Sequence, residues 1–176
     1  MEIFLPLNKA NYCPILKPHF DPIHYQKQQI MQLITASEEN IEQLTSLFDG
    51  YRMFYKQPSD IEAARKFLFE RFQKNDSVIF MAVDEDGNAL GFTQLYPMFS
   101  SVSMQRSYVL NDLFVSEVAR GRGVGAALME QAKQFAKEIG SKGLTLETSI
   151  DNPAQKLYQR LGWVKDTAVN HYTWEI

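Results

Sequence analysis

Three glycines fall within five residues in Arg120-Gly121-Arg122-Gly123-Val124-Gly125-Ala126, between a strand-like run, Tyr108–Val115, and a run with helical spacing that begins at Ala127. Glycines let the main chain approach a ligand closely. The helix that starts behind such a turn leaves its first N–H groups unpaired, with its dipole pointing the same way. Arg120 and Arg122 add guanidinium donors suited to phosphate. A pyrophosphate fits this corner; the plain alternative is a solvated Gly-rich turn. A P-loop is excluded, because no Lys-Ser or Lys-Thr follows the last glycine. Gly121-x-Gly123-x-x-Ala126 does match the dinucleotide fingerprint, so a nucleotide-dependent oxidoreductase stands as an alternative. Against it, at least three strands and two helices precede the glycines and only about fifty residues follow, too few for a second nucleotide half and a substrate domain.

The remaining periodicities supply the elements around this junction. Gln32–Thr35 reads as a first strand and Ser37 as a helix N-cap. Ile41, Leu44, Leu47, Phe48, Tyr51, Phe54 and Tyr55 then recur at helical spacing until Gln57-Pro58 ends the run. Ser59 with Glu62 is a capping-box signature for a second helix carrying Ile61, Ala64, Phe67, Leu68 and Phe72. Val78–Val83 and Ala89–Tyr96 form a hairpin around Asp86-Gly87-Asn88, followed by a Ser- and Met-rich loop after Pro97. After the strand Tyr108–Val115 come a third helix, Ala127–Ile139, stopped by Gly140, and a strand over 143–148. Asp151 or Asn152 caps a fourth helix that runs to Leu161, and Trp163–Glu175 is expected to give one or two final strands. The order β-α-α-β-β-β-α-β-α-β-β implies an α/β (α+β) fold: a central, mixed, mostly antiparallel sheet with helices on both faces.

Composition narrows the function classes. A chain of 176 residues, 45% hydrophobic and 22% charged, is long enough for one core without staples. A net charge of -3 and a pI near 5.6 give no general attraction to phosphate backbones, so nucleic acid is not an expected partner. Cys13 is the single cysteine, which rules out an intrachain disulfide and points to a reducing compartment, the cytoplasm by default. No apolar run approaches the ~20 residues that span a bilayer, and the first residues lack the pattern of a signal peptide. His19, His24 and His171 show no ligand spacing, so neither a metal site nor a Ser-His-Asp arrangement is expected.

Arg120-x-x-Gly123-x-Gly125 at a strand-to-helix junction resembles the acyl-CoA signature of the GNAT superfamily of N-acetyltransferases. The likeness runs from Met31 onward, and the element order matches that fold. Asn152-Pro153-Ala154-Gln155-Lys156-Leu157-Tyr158-Gln159-Arg160-Leu161-Gly162-Trp163 resembles the superfamily's later motif, and Leu110–Val115 resembles the corresponding strand of its polyamine- and histone-type group. The resemblance implies acetyl-CoA as co-substrate, no metal, and direct transfer of acetyl to a primary amine on a small polyamine-like molecule or a protein lysine. An acyl-CoA-binding regulatory module without turnover is the alternative within this fold, and homodimers are common among such relatives.

The roles implied by the resemblance fall on particular residues. Arg120, Gly121, Arg122, Gly123, Val124, Gly125 and Ala126 would hold the pyrophosphate. The main chain of Leu113, Phe114 and Val115 would pair with the pantetheine arm like an added strand, and an N–H in that stretch would polarise the thioester carbonyl. Asn152 would contact the pantetheine region, although it stands one residue nearer the tyrosine than is usual. Tyr158 would protonate the departing thiolate; read without the motif, it is an aromatic on the buried face of the last helix. Asp112 is the expected partner of the incoming amine, with Asn111 where a Glu is common, and Glu147 is a second candidate. Tyr51, Arg52, Tyr55 and the 96–104 loop would line the acceptor pocket, where aromatic faces and Asp112 suit a cation. Tyr51 and Tyr55 also belong to the helical stripe.

Residues 1–30, with Pro6, Pro14, Pro18 and Pro22, carry no sustained period and are expected to form an irregular arm before a domain spanning 31–176. The pattern starts at Met31. A chain begun there is expected to be soluble and folded; insoluble product would show that the arm takes part in the fold.

Overall fold

The computed structural model describes residues 31–176; the arm expected over 1–30, with Cys13, His19 and His24, lies outside the described residues. Its elements follow the expected order: β1 (Gln32–Thr35), α1 (Ile41–Phe54), α2 (Ile61–Lys74), β2 (Val78–Val83), β3 (Ala89–Ser100), β4 (Gln105–Val115), α3 (Val124–Glu138), β5 (Leu144–Thr145) and α4 (Gln155–Arg160). The five strands lie side by side in chain order. Each pair is antiparallel except β4 with β5, which is parallel because α3 carries the chain back across the sheet. Strand β2 shows why the sheet needs cover on both faces. Phe80 and Ala82 pack with Leu128, Met129 and Ala132 of α3, whereas Ile79, Met81 and Val83 pack with Leu44, Phe48, Ala64 and Leu68 of α1 and α2. The glycine-rich turn follows the fourth strand of a mainly antiparallel sheet. That is not the first crossover of a doubly wound dinucleotide fold, and the oxidoreductase alternative loses its structural basis.

Four expectations change. Tyr96–Met104 is not a loop: β3 continues to Ser100, the ladder with β4 resumes at Gln105, and only 101–104 turn. Pro97 fits there because its partner Tyr108 donates its N–H to Gly143 O at 3.1 Å, away from β3. The nitrogen of Pro97 therefore points away from β4, and on that side β2 already ends at Val78, opposite Leu95, so no ladder bond is lost. Ser59 does not cap α2; Asp60 does, accepting from Ala63 N at 3.0 Å. The strand expected over 143–148 is only Leu144–Thr145, and Trp163–Glu175 forms no strand. A strand needs a neighbouring ladder, and two residues of β5 offer too short an edge; Tyr172 and Trp174 stay exposed.

Ser59 is drawn from the cap position by a buried carboxylate. Asp49 of α1 accepts from Ser59 Oγ at 2.7 Å and Asp60 N at 2.9 Å, and Arg52 Nη1 stands 3.4 Å away. These bonds, Ser59 foremost, hold the Asp49 carboxyl below its ordinary range despite burial. They also close the α1–α2 connection, with Arg52 Nη1 reaching Pro58 O at 3.4 Å.

Asp49→Ala is expected to destabilise the fold by about 1–3 kcal/mol in denaturant unfolding, since the donors of Ser59 and Asp60 lose their acceptor. The folded pKa of Asp49 is lowered. Its contribution is therefore complete above the unfolded-state value of about 3.9 and disappears as pH falls through the folded value. Unfolding curves at pH 7 and pH 3 should thus differ less for Asp49→Asn than for the unaltered protein; equal pH dependence would refute the role.

Candidate active site

At the N-terminus of α3, Gly121 (φ 75°) and Gly123 (φ 81°) occupy the left-handed region, where a side chain is strained. A Cβ built on either would meet no atom within 4 Å, so the turn opens onto free space. The first helical hydrogen bond of the turn is Ala127 N to Gly123 O at 3.0 Å, which leaves the amides of Val124, Gly125 and Ala126 without intrahelical acceptors, and no acidic side chain stands in that first turn. Those features fit a diphosphate. The arginines are less free than expected. Arg120 folds back, Nε donating to Val115 O at 3.3 Å and Nη1 lying 3.7 Å from Glu117, and Arg122 is near enough to Asp84 to help Asn88 keep that carboxyl below its usual range. At Gly125 an added Cβ would make ordinary contacts with methyl carbons of Val115 and Leu157 at 3.6 and 3.7 Å, which places α3 against β4 and α4 there.

Leading into that turn, β4 pairs with β3 throughout but with β5 only at Tyr108 and Val109. From Leu110 to Val115 its outer edge has no ladder partner, so an extended ligand has a strip of main chain to pair with. Gln94 is registered with Asp112 and Leu95 with Leu110, so Asn111 is the extra residue of a β-bulge. Leu113 and Val115 lean on the α3 side and Phe114 on the α1 side.

Tyr158 of α4 packs against the α3-side core beside this strip. Burial raises its phenol pKa, and a hydrogen bond with Thr148 offsets part of that rise. Asn152 Nδ2 donates to Thr148 Oγ1 at 2.7 Å while its Oδ1 accepts from Ala154 N at 2.9 Å. Both ends of the Asn152 amide are therefore engaged with protein, and its structural work is to hold Thr148 beneath the phenol.

On the other face, Asp112 is 4% exposed. Burial raises its carboxyl pKa, while hydrogen bonds from Tyr51 and from Asn111 Nδ2, the latter at 3.0 Å, lower it. No cationic side chain pairs with it among the described residues. Burial and the nearby Asp112 charge push Tyr51 far above its ordinary value, and the same causes bring Tyr96 up to about 12. Tyr51 meets Tyr55 edge-on at 5.0 Å and Phe114 at 6.4 Å. Tyr55 acts electrostatically on both Tyr51 and Tyr158. Tyrosines thus connect Asp112 to Tyr158 around the free edge of β4, and Tyr51 serves both the helical stripe and the site.

Other expectations resolve differently. Glu147 does not join Asp112: its side chain is 76% exposed and faces His171 Nδ1 at 3.1 Å, because β5 ends before it. Arg52 braces the α1–α2 connection, and most of the 96–104 segment is ladder. Among the described residues, no cluster of three or more His, Cys, Asp or Glu could hold a metal, and no helix is long and apolar enough to cross a membrane. Sequence patterns pass over Thr148, Gln94 and Arg71, which pairs with Asp76 at 2.9 Å and hydrogen-bonds Tyr96. Only Gln94 leaves a trace, as a polar residue inside a buried strand run.

Comparison with known proteins gives this geometry a family context. The model of the acetyltransferase (GNAT) family matches residues 41–163. The uncharacterized N-acetyltransferase YhfO of Bacillus subtilis (strain 168) is 46% identical over 143 residues, covering 81% of this chain and 95% of its own length. A probable acetyltransferase of Haemophilus influenzae (strain ATCC 51907 / DSM 11121 / KW20 / Rd) is 41% identical over 141 residues, or 73% of this chain and 97% of its own. The crystal structure of a probable acetyltransferase superposes with a TM-score of 0.79 at 41% identity, covering 82% of this chain and 97% of that one.

Gly123→Glu is expected to abolish retention on immobilised CoA while far-UV circular dichroism stays that of the folded chain. The new side chain enters the open cradle with a like charge, at a backbone angle it tolerates poorly. Retention equal to that of the unaltered protein would show that the diphosphate binds elsewhere.

Proposed function

This chain belongs to the acetyltransferase (GNAT) family and is an acetyl-transferring enzyme, and on that footing we propose that it moves acetyl from acetyl-CoA to the primary amine of a small cationic acceptor or a lysine side chain. The observation that carries the reading is the gathering of Asp112 and Tyr158 by Tyr51 and Tyr55 around the open edge of β4.

Acetyl-CoA supplies an acyl carbon activated as a thioester. The amides of Val124–Ala126 bind its diphosphate, and the free edge over Leu110–Val115 orients its extended arm. The bulge at Asn111 departs from regular pairing in the middle of that edge, so an N–H there is the candidate donor to the carbonyl oxygen as it gains negative charge. Asp112 draws in the acceptor's ammonium and takes one of its protons, directly or through the Tyr51 hydroxyl, which frees the nitrogen lone pair for the acyl carbon. As the C–N bond forms and the C–S bond breaks, the Tyr158 hydroxyl passes its proton to the sulfur. Its raised pKa keeps it protonated at neutral pH, and Thr148 stabilises the phenolate left behind. The nitrogen then loses its second proton, which restores the Tyr158 phenol, and Asp112 releases the first to solvent; one ammonium ion and one thioester give one amide, one thiol and one proton. Burial raises the Asp112 pKa, which makes its carboxylate a stronger base than a solvated one.

Release of free thiol from acetyl-CoA with spermidine, lysine peptides and aminoalkyl compounds tests the reaction directly. No release with any amine would refute it and leave a non-catalytic acyl-CoA-binding module. Tyr158→Phe is expected to lower turnover by about 10²–10⁴-fold with acetyl-CoA binding little changed. Unchanged turnover would remove Tyr158 from the chemistry.

A further inference from the structure

Gln94 has no part in the steps above, yet it stands beside the group that receives the acceptor. It lies in β3 opposite Asp112 of β4. Facing side chains of an antiparallel pair share one side of the sheet, with Cβ atoms about 5 Å apart. Gln94 is 0% exposed. Its amide is oriented by Nε2 donating to Ser77 Oγ at 2.8 Å, which leaves Oε1 buried without a hydrogen-bond partner. Buried side-chain oxygens are nearly always satisfied, and leaving one bare costs free energy. The neighbouring carboxylate is also short of donors: Asn111 and Tyr51 serve it, and no cation pairs with it among the described residues. A buried amide oxygen with no donor, opposite a carboxylate with no paired cation, suits a group rich in N–H bonds.

We propose that Gln94 is a specificity-determining residue of the acceptor site: its Oε1 and the Asp112 carboxylate together hold the nitrogen of a primary ammonium, with the rings of Tyr51, Tyr55 and Tyr96 around its stem. The inference rests on the acetyltransferase reading and says which acceptors the site takes. A primary ammonium brings three N–H donors. Asp112 takes one proton away, whereas an amide oxygen cannot be protonated at neutral pH and keeps its N–H bonded while the lone pair turns to the acyl carbon. A hydroxyl acceptor offers one donor, and an N,N-dimethylated amine has one when protonated and none when neutral. Both leave Gln94 Oε1 bare, and sites built to bond a substrate N–H reject analogues lacking it.

The test is steady-state thiol release with a primary aminoalkane and with the matching alcohol, and with the N,N-dimethyl form, which cannot give an amide, as a competitor of the primary amine, on the unaltered protein, Gln94→Met and Gln94→Glu. Gln94→Met keeps the length and removes the acceptor oxygen. It is expected to raise KM for the primary amine about tenfold with KM for acetyl-CoA unchanged, a loss of the size of one buried hydrogen bond. Gln94→Glu keeps an oxygen in place and is expected to hold or lower the amine KM. A folded Gln94→Met, checked by thermal melting, with an unchanged amine KM overturns the proposal. Should that variant not fold, Gln94→Glu decides alone: an amine KM held or lowered supports the proposal, and one raised with acetyl-CoA KM constant overturns it. Absence of thiol release by the unaltered protein with every amine overturns this inference and the proposed reaction together, whereas normal release with an indifferent Gln94→Met overturns this inference only.

Discussion

The structure turns on how β4 spends its hydrogen bonds. Toward β3 the strand is paired from Gln105 to Val115, and toward β5 it is paired at Tyr108 and Val109 alone. Backbone N–H and C=O groups are strong, obligatory partners, and a sheet leaves a row of them open only at an edge. Here the open row lies within the sheet order, between strands that part company after two residues. At its far end begins a turn whose unpaired amides favour an anion. A ligand that is extended along one part and anionic at one end matches both.

Side-chain chemistry is distributed around that edge rather than on one element. Asp112 lies on the α1 face, Tyr158 reaches the edge from α4, and Tyr55 at the end of α1 senses the other tyrosines of both. What holds α1 in place is then part of the site. The closure of the α1–α2 connection by Asp49, Ser59, Asp60 and Arg52 fixes the turn of helix that carries Tyr51 and Tyr55. Burial of Asp112 without a paired cation is costly for the empty protein, and a cationic acceptor offsets that cost on arrival.

Much of this arrangement was legible in the residues, for reasons that differ by element. The Val78–Val83 run and the stripe from Ile41 to Phe54 follow from hydrophobic period, which burial on one or two faces enforces. The glycines at 121 and 123 imply a main chain that a ligand can approach closely, and in the structure both adopt left-handed backbone on a turn with open space around it. Expectations failed where a distant group competes for a local signal. Ser59 has the spacing of a cap, but its hydroxyl donates to Asp49, ten residues earlier, and Asp60 accepts at the helix start instead. Pro97 looks like a strand terminator, and only the direction of the Tyr108 N–H shows that it interrupts nothing. Glu147 and Asp112 are both plausible bases on paper; what separates them is that β5 stops before Glu147, while β4 buries Asp112. The unpartnered oxygen of Gln94 is a property of packing that no period in the chain encodes.

The extra residue at Asn111 acts on the strand as a dislocation acts on a ruled lattice. Before it, Tyr108 and Leu110 point to the α3 core; after it, Leu113 and Val115 do, so odd numbers replace even ones on that side. Were the strand regular, residues 108, 110, 112 and 114 would share a side, and the carboxylate would be driven among Leu128 and Met129 instead of toward Tyr51. One irregular residue thus sorts two kinds of chemistry onto opposite sides of a continuous backbone. The length of this strand, counted to the single residue, is therefore as much a part of the enzyme as any side chain it carries.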